Sequence, residues 1–461
     1  MSVLWIGADK LVRDGDEEGH VGAAELFRGD LLSGDWIGFL ERLWLGPMGE
    51  YPQAFTAVLG FWWWLTGVGQ PSEVVVRSIC LLSLAVAGLA TARMARRFVP
   101  DSARNMAEVA TFIAVLALPL GNGLSRHFMP EGALMAVVAV ALLLALRLVE
   151  RPSWSRAFSL GVAIGLGVLT KQTFVFFVFV PLMFILKRML PKGFLHLGVV
   201  LLVSAAVAAP WLFQNGTAQI SYGLASAIGH GAGGVWDHLE FYPMVLLMLG
   251  LGPFLSVAVG LALWRLCSVH DKRALWLGLA WFVGGLVLLT LLPKKYPRLI
   301  APLLPGIALW LGVGVARTTR PHPWLLALGI GSMAWLAAAS TVSLPLHPNR
   351  PAIDPGCTQV WVRPPNPDDF GLSVVETHLR NLPEGPVLVL RDLEIPCGIQ
   401  TTHNWSHHLS PWLRRAGAER AIVMDAAQHH IAVIDGLEGP GKRIDVPSLD
   451  GSLYIRDSLK P

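Results

Sequence analysis

Residues 157–186 read AFSLGVAIGLGVLTKQTFVFFVFVPLMFIL, an apolar run whose single charge, Lys171, stands at its centre. A lysine facing lipid at that depth costs about 3 kcal/mol or more. The flanks resolve the conflict: Arg147, Arg151 and Arg156 precede the run and Lys187, Arg188 and Lys192 follow it. Cytoplasmic loops are the ones enriched in Lys and Arg, so the run goes out and comes back. Lys171 is then the outer turn of a helical hairpin, at headgroup height. There it either snorkels to the lipid headgroups or meets a ligand phosphate.

The rest of the chain fits that frame. Hydrophobic residues make up 53% and charged residues 15%, and mean hydropathy is +0.53, which excludes an ordinary soluble domain. Runs near the length that spans a bilayer fall at 72–97, 104–122, 131–149, 157–170, 172–190, 195–213, 241–264, 273–292, 299–316 and 323–343. The reading is an all-α polytopic membrane protein of about ten transmembrane helices. Arg93, Arg96, Arg97, Arg104, Arg147, Arg151, Arg156, Lys187, Arg188, Lys192, Arg265, Lys272, Arg273, Arg317 and Arg320 all fall at alternate connections. Those connections are assigned to the cytoplasm. The net charge of +4 is mostly this topological signal and gives no case for nucleic-acid binding.

Three divisions follow: 1–71 as an external first loop with an interfacial helix, 72–343 as the transmembrane domain, and 344–461 as a small external α/β domain. The last carries strand-like runs, PVLVLRD, RAIVMDA, HIAVIDG and SLYIRDS, with PWLRRAGAE as a helix between two of them. In the first division, YPQAFTAVLGFWWWLTG has three successive indoles, Trp62, Trp63 and Trp64, and is short for a span, so it reads as a helix in the interface. Nothing before residue 70 resembles an export signal; the expectation is a first helix lost upstream of the assigned start. Cys357 and Cys397 lie in the external part, where an oxidising exterior permits a disulfide.

The chemistry-bearing residues gather at the outer connections. DGDEEGHVGAAELFRGD holds Asp16, Glu17, Glu18 and His20, where like-charged neighbours adjust the pKa of a general base; a solvated acidic loop is the plainer alternative. SRHFMPEG supplies Arg126, His127 and Glu131, the last either a ligand or a first-turn partner of the helix dipole. PKKYPRLIAPLLPG supplies Lys294, Lys295, Tyr296 and Arg298, a set that suits a phosphate or anionic headgroups in general. GLEGPGKR, residues 436–443, has glycine and lysine spacing like a phosphate loop, but Arg443 replaces the hydroxyl residue. The histidines His403, His407, His408, His429 and His430 lack the spacing of a defined metal site.

Taken in order, these segments resemble the bacterial GT-C glycosyltransferases that use polyprenyl-phosphate sugars, the superfamily of the protein mannosyltransferases and the lipid A aminoarabinose transferase. Asp16, Glu17, His20, Ala24, Gly29 and Asp30 look like that family's first-loop pattern. EYPQAFTAVLGFWWWLTG, opening on Glu50 and Tyr51, looks like its juxtamembrane helix, SRHFMPEG like its second outer turn, LGVLTKQ like its lysine motif and KKYPRLIAPLLPG like its late basic motif. Gln53, Glu131 and Gln172 stand where proline, aspartate and glycine are usual.

The resemblance implies an inverting transfer of a sugar from a polyprenyl-phosphate donor to a lipid, glycan or protein acceptor at the outer face of the plasma membrane. Asp16 and Glu17 are then catalytic, with Asp16 as the base; Lys171, Lys294, Lys295, Tyr296 and Arg298 bind the donor phosphate. His20, Glu50, Tyr51, Arg126 and Glu131 position the acceptor or a divalent cation, the one cofactor left open. A transporter of lipid-linked sugars, or an inactive membrane scaffold, are the alternatives; a transporter calls for polar groups midway along several spans, and these spans are almost wholly apolar.

Overall fold

The computed structural model describes residues 15–45, 52–68, 73–125, 128–190, 193–229, 235–290, 296–317 and 331, with strands between 387 and 455. Compact packing divides the chain into two units, one within Leu26–Pro351 and one comprising Asp9–Glu25 and the segment from Ala352 on.

The helices are α1 Gly15–Ser33, α2 Trp36–Leu45, α3 Ala54–Thr66, α4 Glu73–Ala95, α5 Arg104–Ala117, α6 Pro119–Leu124, α7 Pro130–Glu150, α8 Trp154–Thr170, α9 Phe174–Leu186, α10 Phe194–Gly229, α11 Val235–Val245, α12 Gly252–Ser268, α13 Arg273–Thr290 and α14 Leu304–Ala316. Among the described residues, five stretches are long and apolar enough to cross a membrane: Arg77–Phe98, Pro130–Glu150, Phe194–Thr217, Arg273–Thr290 and Pro297–Ala316. The chain is thus a multi-pass membrane protein, helical through this region. The candidate span at 323–343 lies outside the described residues apart from position 331.

Local chemistry explains where the helices depart from single continuous spans. The run at 104–122 breaks at Leu118 (φ −64°, ψ 117°), because Pro119 forces its predecessor out of the α region. The run at 241–264 is interrupted too. Its chain turns at Gly252, φ 67°, a left-handed value that a side chain would resist, and α12 then starts with Pro253 in its first turn. The segment read as an acidic first loop is helical instead, as α1. At its end Asp30 takes a two-pronged bond from Arg42 (2.7 and 3.0 Å) that fixes the corner between α1 and α2.

Pro297–Ala316, apolar apart from Arg298, has 94% of its most apolar window buried and is the centre of the bundle, whereas for Phe194–Thr217 that share is only 17%. The second turns its remaining apolar faces outward, as a peripheral lipid-facing helix does. Around the centre α5, α12 and α13 pack on α14, α4 lies between α5 and α7, and α7 runs against α8 and α9. α8 meets α10 at close range: a Cβ on Gly161 or Gly165 would stand 2.7 or 2.6 Å from Val203 or Val207. Small residues one turn apart permit that approach in a membrane, where packing rather than water drives association.

The three indoles of α3 do not share one environment. Trp63 is fully buried, with its N–H on the Val68 carbonyl and the Arg28 guanidinium 4.8 Å from its ring centroid. Trp62 binds the Ser78 hydroxyl at 2.9 Å. Helical geometry explains this, since successive residues point about 100° apart and cannot all reach the interface.

In the second unit the strands are β1 Val387–Leu390, β2 Arg420–Met424, β3 His430–Asp435, β4 Val446–Pro447 and β5 Tyr454–Ile455. They form one sheet in the order β4-β3-β2-β1-β5, with β1 and β2 parallel and the other pairs antiparallel. Four of these coincide with the four strand-like runs; β4 was not read as one. The PWLRRAGAE segment before β2 lies outside the described residues.

Candidate functional site at the carboxylate end of the bundle

α8 starts with Ser153, whose hydroxyl accepts the Arg156 N–H, and ends at Thr170, so Lys171 (φ −164°) is the first extended residue after it. The Lys171 carbonyl accepts the Phe174 N–H at 2.9 Å as α9 starts. Lys171 is therefore the turn of a helical hairpin. Glycine at 167 is required there, because a Cβ would lie 2.4 Å from the Phe174 ring.

The lysine reaches from that turn to Glu131. Its Nζ donates to Glu131 Oε1 at 2.7 Å, and Arg298 Nε lies 3.3 Å from the same oxygen. Glu131 is wholly buried, Lys171 12% and Arg298 26% exposed, which places the carboxylate innermost. Pro130 starts α7 at a position with no hydrogen-bond obligation, and Glu131 follows in the first turn, where the helix dipole favours an anion.

Three segments far apart in sequence thus converge. Arg298 sits in the short 3-10 turn Pro297–Leu303, its guanidinium 5.0 Å from the Tyr296 ring centroid and 3.6 Å from Met129 Sδ. Phe128 stacks on Phe55 at the start of α3 with centroids 4.5 Å apart. Next to it Gln53, fully buried, accepts the Thr56 hydroxyl at 2.8 Å. One buried carboxylate thus gathers two cations from distant segments, cationic donors of the kind that bind an anion such as phosphate.

The spacing of the motifs did not reveal that Glu131 and Lys171 are ion-pair partners; each stood alone in the sequence. Two cations around Glu131 repel a third, which argues against this carboxylate as a metal ligand. Among the described residues no group of three or more His, Cys, Asp or Glu could hold a metal ion. The sequence reading also passed over Arg77, which lies in α4 and is 2% exposed; its signal is a cation near the start of the run at 72–97, four residues after Glu73.

Asp16 and Glu17 open α1, and His20, in the same helix, is buried; these three belong to the second unit. Glu50, Tyr51, Arg126, His127, Lys294, Lys295, Cys357 and Cys397 lie outside the described residues, as do residues 436–443 and His403, His407, His408 and His429.

Among the described residues, Glu131, Lys171 and Arg298 gather at one end of the bundle and the arginine-rich connections at the other. Arg93 and Arg96 pair with Glu108, and Arg97 pairs with Glu150. Arg317 donates to the Phe98 carbonyl and also lies 3.8 Å from Asp271, which Arg273 bonds at 2.8 Å. That hydrogen bond holds the Asp271 carboxyl down at about 2.

Residues 55–213 match the family model described as dolichyl-phosphate-mannose-protein mannosyltransferase. Among solved structures, ArnT from Cupriavidus metallidurans matches with TM-score 0.52 in the apo state and 0.53 with bound undecaprenyl phosphate, at 19% identity. The match covers 74% of this chain and 63% of the ArnT chain, so the chain shares that fold over part of the ArnT length. No curated protein sequence matches. The family model and the shared fold agree with the resemblance to GT-C glycosyltransferases.

Proposed function

We propose that this chain is a membrane glycosyltransferase of the GT-C type that moves a sugar from a polyprenyl-phosphate donor to a lipid, glycan or protein acceptor at the outer face of the membrane. The observation that carries the reading is the buried Glu131 carboxylate holding Lys171 and Arg298, two cations from distant segments, at one point. Undecaprenyl phosphate, named as bound in one of the similar structures, presents the kind of anion such a centre would take.

In this reading the acceptor hydroxyl gives its proton to Asp16 while its oxygen attacks the anomeric carbon. The bond from that carbon to the phosphate oxygen breaks, its electron pair stays on the phosphate, and the configuration inverts. Lys171 and Arg298, with Lys294, Lys295 and Tyr296 of the same late motif, neutralise the negative charge growing on the leaving phosphate. In a site shielded from water such preorganised cations are worth far more than in bulk. Glu131 holds both cations in place before the donor arrives and prevents their mutual repulsion from splaying them. Glu17, His20, Glu50, Tyr51 and Arg126 position the acceptor.

The deciding experiment is transfer from a panel of polyprenyl-phosphate sugars by protein purified into lipid, comparing the unaltered chain with Asp16→Asn and Lys171→Ala. Transfer that needs both residues supports the enzyme and identifies its donor. Near-normal turnover by either variant removes that residue from the mechanism. Silence of the unaltered, correctly inserted chain toward every donor moves the reading to a transporter or an inactive scaffold.

A further inference from the structure

We propose that the arginine end of the bundle carries a second phosphate-binding site, apart from the Lys171 centre, built to hold the headgroup phosphate of an anionic phospholipid. A cavity of about 460 Å3 opens there between the ends of α4, α7 and α8. Arg97, Arg147, Glu150, Arg151, Arg156 and Ser159 provide its polar lining, four guanidinium groups to one carboxylate. Its size falls within the usual range for a small-ligand pocket.

The commitments of these six side chains show which are available. Arg97 is taken by Glu150. Arg156 donates to the carbonyls of Arg147 at 3.2 Å and Arg151 at 2.6 Å, closing the end of α7, where helix carbonyls lack internal partners. Ser159 donates back to the Ser155 carbonyl. Arg147 and Arg151 have no side-chain hydrogen bond or ion pair among the described residues, and both line the cavity. Two uncommitted guanidinium groups facing one cavity match the paired oxygens of a phosphate.

The surroundings favour a lipid as the source. Trp154 and Phe158, on the first turns of α8, are 55% and 56% exposed, and Trp154 stacks on His196 at 4.5 Å. Exposed aromatic rings beside a basic pocket at a span end are the pattern that receives a headgroup with its acyl chains alongside. α7 separates this cavity from Glu131 by its whole length of 21 residues, about 30 Å, so the two sites cannot share one phosphate.

The test uses the full chain in neutral detergent and measures binding of short-chain phosphatidylglycerol, short-chain phosphatidylcholine and inorganic phosphate by calorimetry. Phosphatidylglycerol is expected to bind more tightly than phosphatidylcholine. The double substitution Arg147→Gln with Arg151→Gln should weaken it about tenfold or more, while Arg147→Lys with Arg151→Lys, which keeps the charge but not the two-pronged geometry, should weaken it by a smaller factor. Both lysine substitutions keep the positive charge that sets insertion, so this variant separates loss of a site from loss of topology. Lys171→Ala should leave the binding unchanged. If inorganic phosphate binds as well as the lipid and is lost with it in the glutamine variant, the site stands and its ligand is free phosphate. Binding indifferent to the glutamine pair, equal for phosphatidylcholine, abolished by Lys171→Ala, or absent for every probe overturns the proposal.

Discussion

The two ends of the helical bundle carry charge in opposite ways. At the arginine end the cations are many and wet: Arg93, Arg104 and Arg273 are 51%, 43% and 54% exposed, and each of their partners keeps some exposed surface. At the other end the described ion cluster has three members, and its carboxylate has no exposed surface at all. Exposed pairs are screened and contribute roughly 0–1 kcal/mol each, whereas a buried carboxylate must keep its partners or bear the full cost of desolvation. Thus the end with fewer charges is the one where each charge matters, and it is the end where chemistry is proposed.

The sharpest way to break that contrast is to remove one cation from each end. Lys171→Ala should lower transfer about a hundredfold or more with insertion intact, while Arg93→Gln should leave turnover within about twofold; turnover assays in lipid that show equal losses would end the comparison. Next in size, Glu131→Gln leaves Lys171 and Arg298 facing each other and should destabilise the bundle by roughly 3 kcal/mol. Adding Lys171→Met to it should restore part of the melting temperature without any activity, which separates the structural role of the pair from the catalytic one. A pair worth nothing by this double substitution would place Glu131 with the surface carboxylates.

Gly167→Ala comes third. The new methyl would press on the Phe174 ring, at a cost of about 1–3 kcal/mol, and thermal unfolding should show the loss together with a raised KM as the Lys171 turn shifts. Relief by a second change, Phe174→Leu, would confirm the contact as the cause. The smallest effect belongs to Asp271 at the arginine end. Its carboxyl is held at about 2, below its ordinary 3.8, by the Arg273 hydrogen bond. The stabilisation is therefore complete above about pH 4 and is lost as pH falls through about 2. Asp271→Asn should melt slightly below the unaltered protein at pH 7 and level with it near pH 2; a difference that grows on acidification would contradict the assignment.

Much of the architecture was legible because a bilayer imposes simple rules. Apolar run length located the helices at 130–150 and 273–290 almost to the residue, and the alternation of cations separated the connections that meet through Arg97, Glu150, Phe98 and Arg317 from those that hold Lys171 and Arg298. The lone lysine in residues 157–186 was correctly a hairpin turn, since no other placement avoids burying its charge in lipid. The breaks at Leu118 and Gly252 were missed, although Pro119 and Pro253 signal them: hydropathy averaged over a window is blind to backbone dihedrals. α1 was missed as a helix because its apolar residues are spread too thinly for a periodic face to appear.

What the sequence determined by itself was that the chain crosses a membrane several times and which of the described charges lie at which end of the bundle, because both follow from the transfer of individual side chains between water and lipid. Only the tertiary structure decided that Glu131, Lys171 and Arg298, 40 and 167 residues apart from the first, share one oxygen. Ion pairing between distant helices depends on packing distances set by glycines such as Gly167 and by the turn at Pro297, and those distances are properties of the folded bundle as a whole.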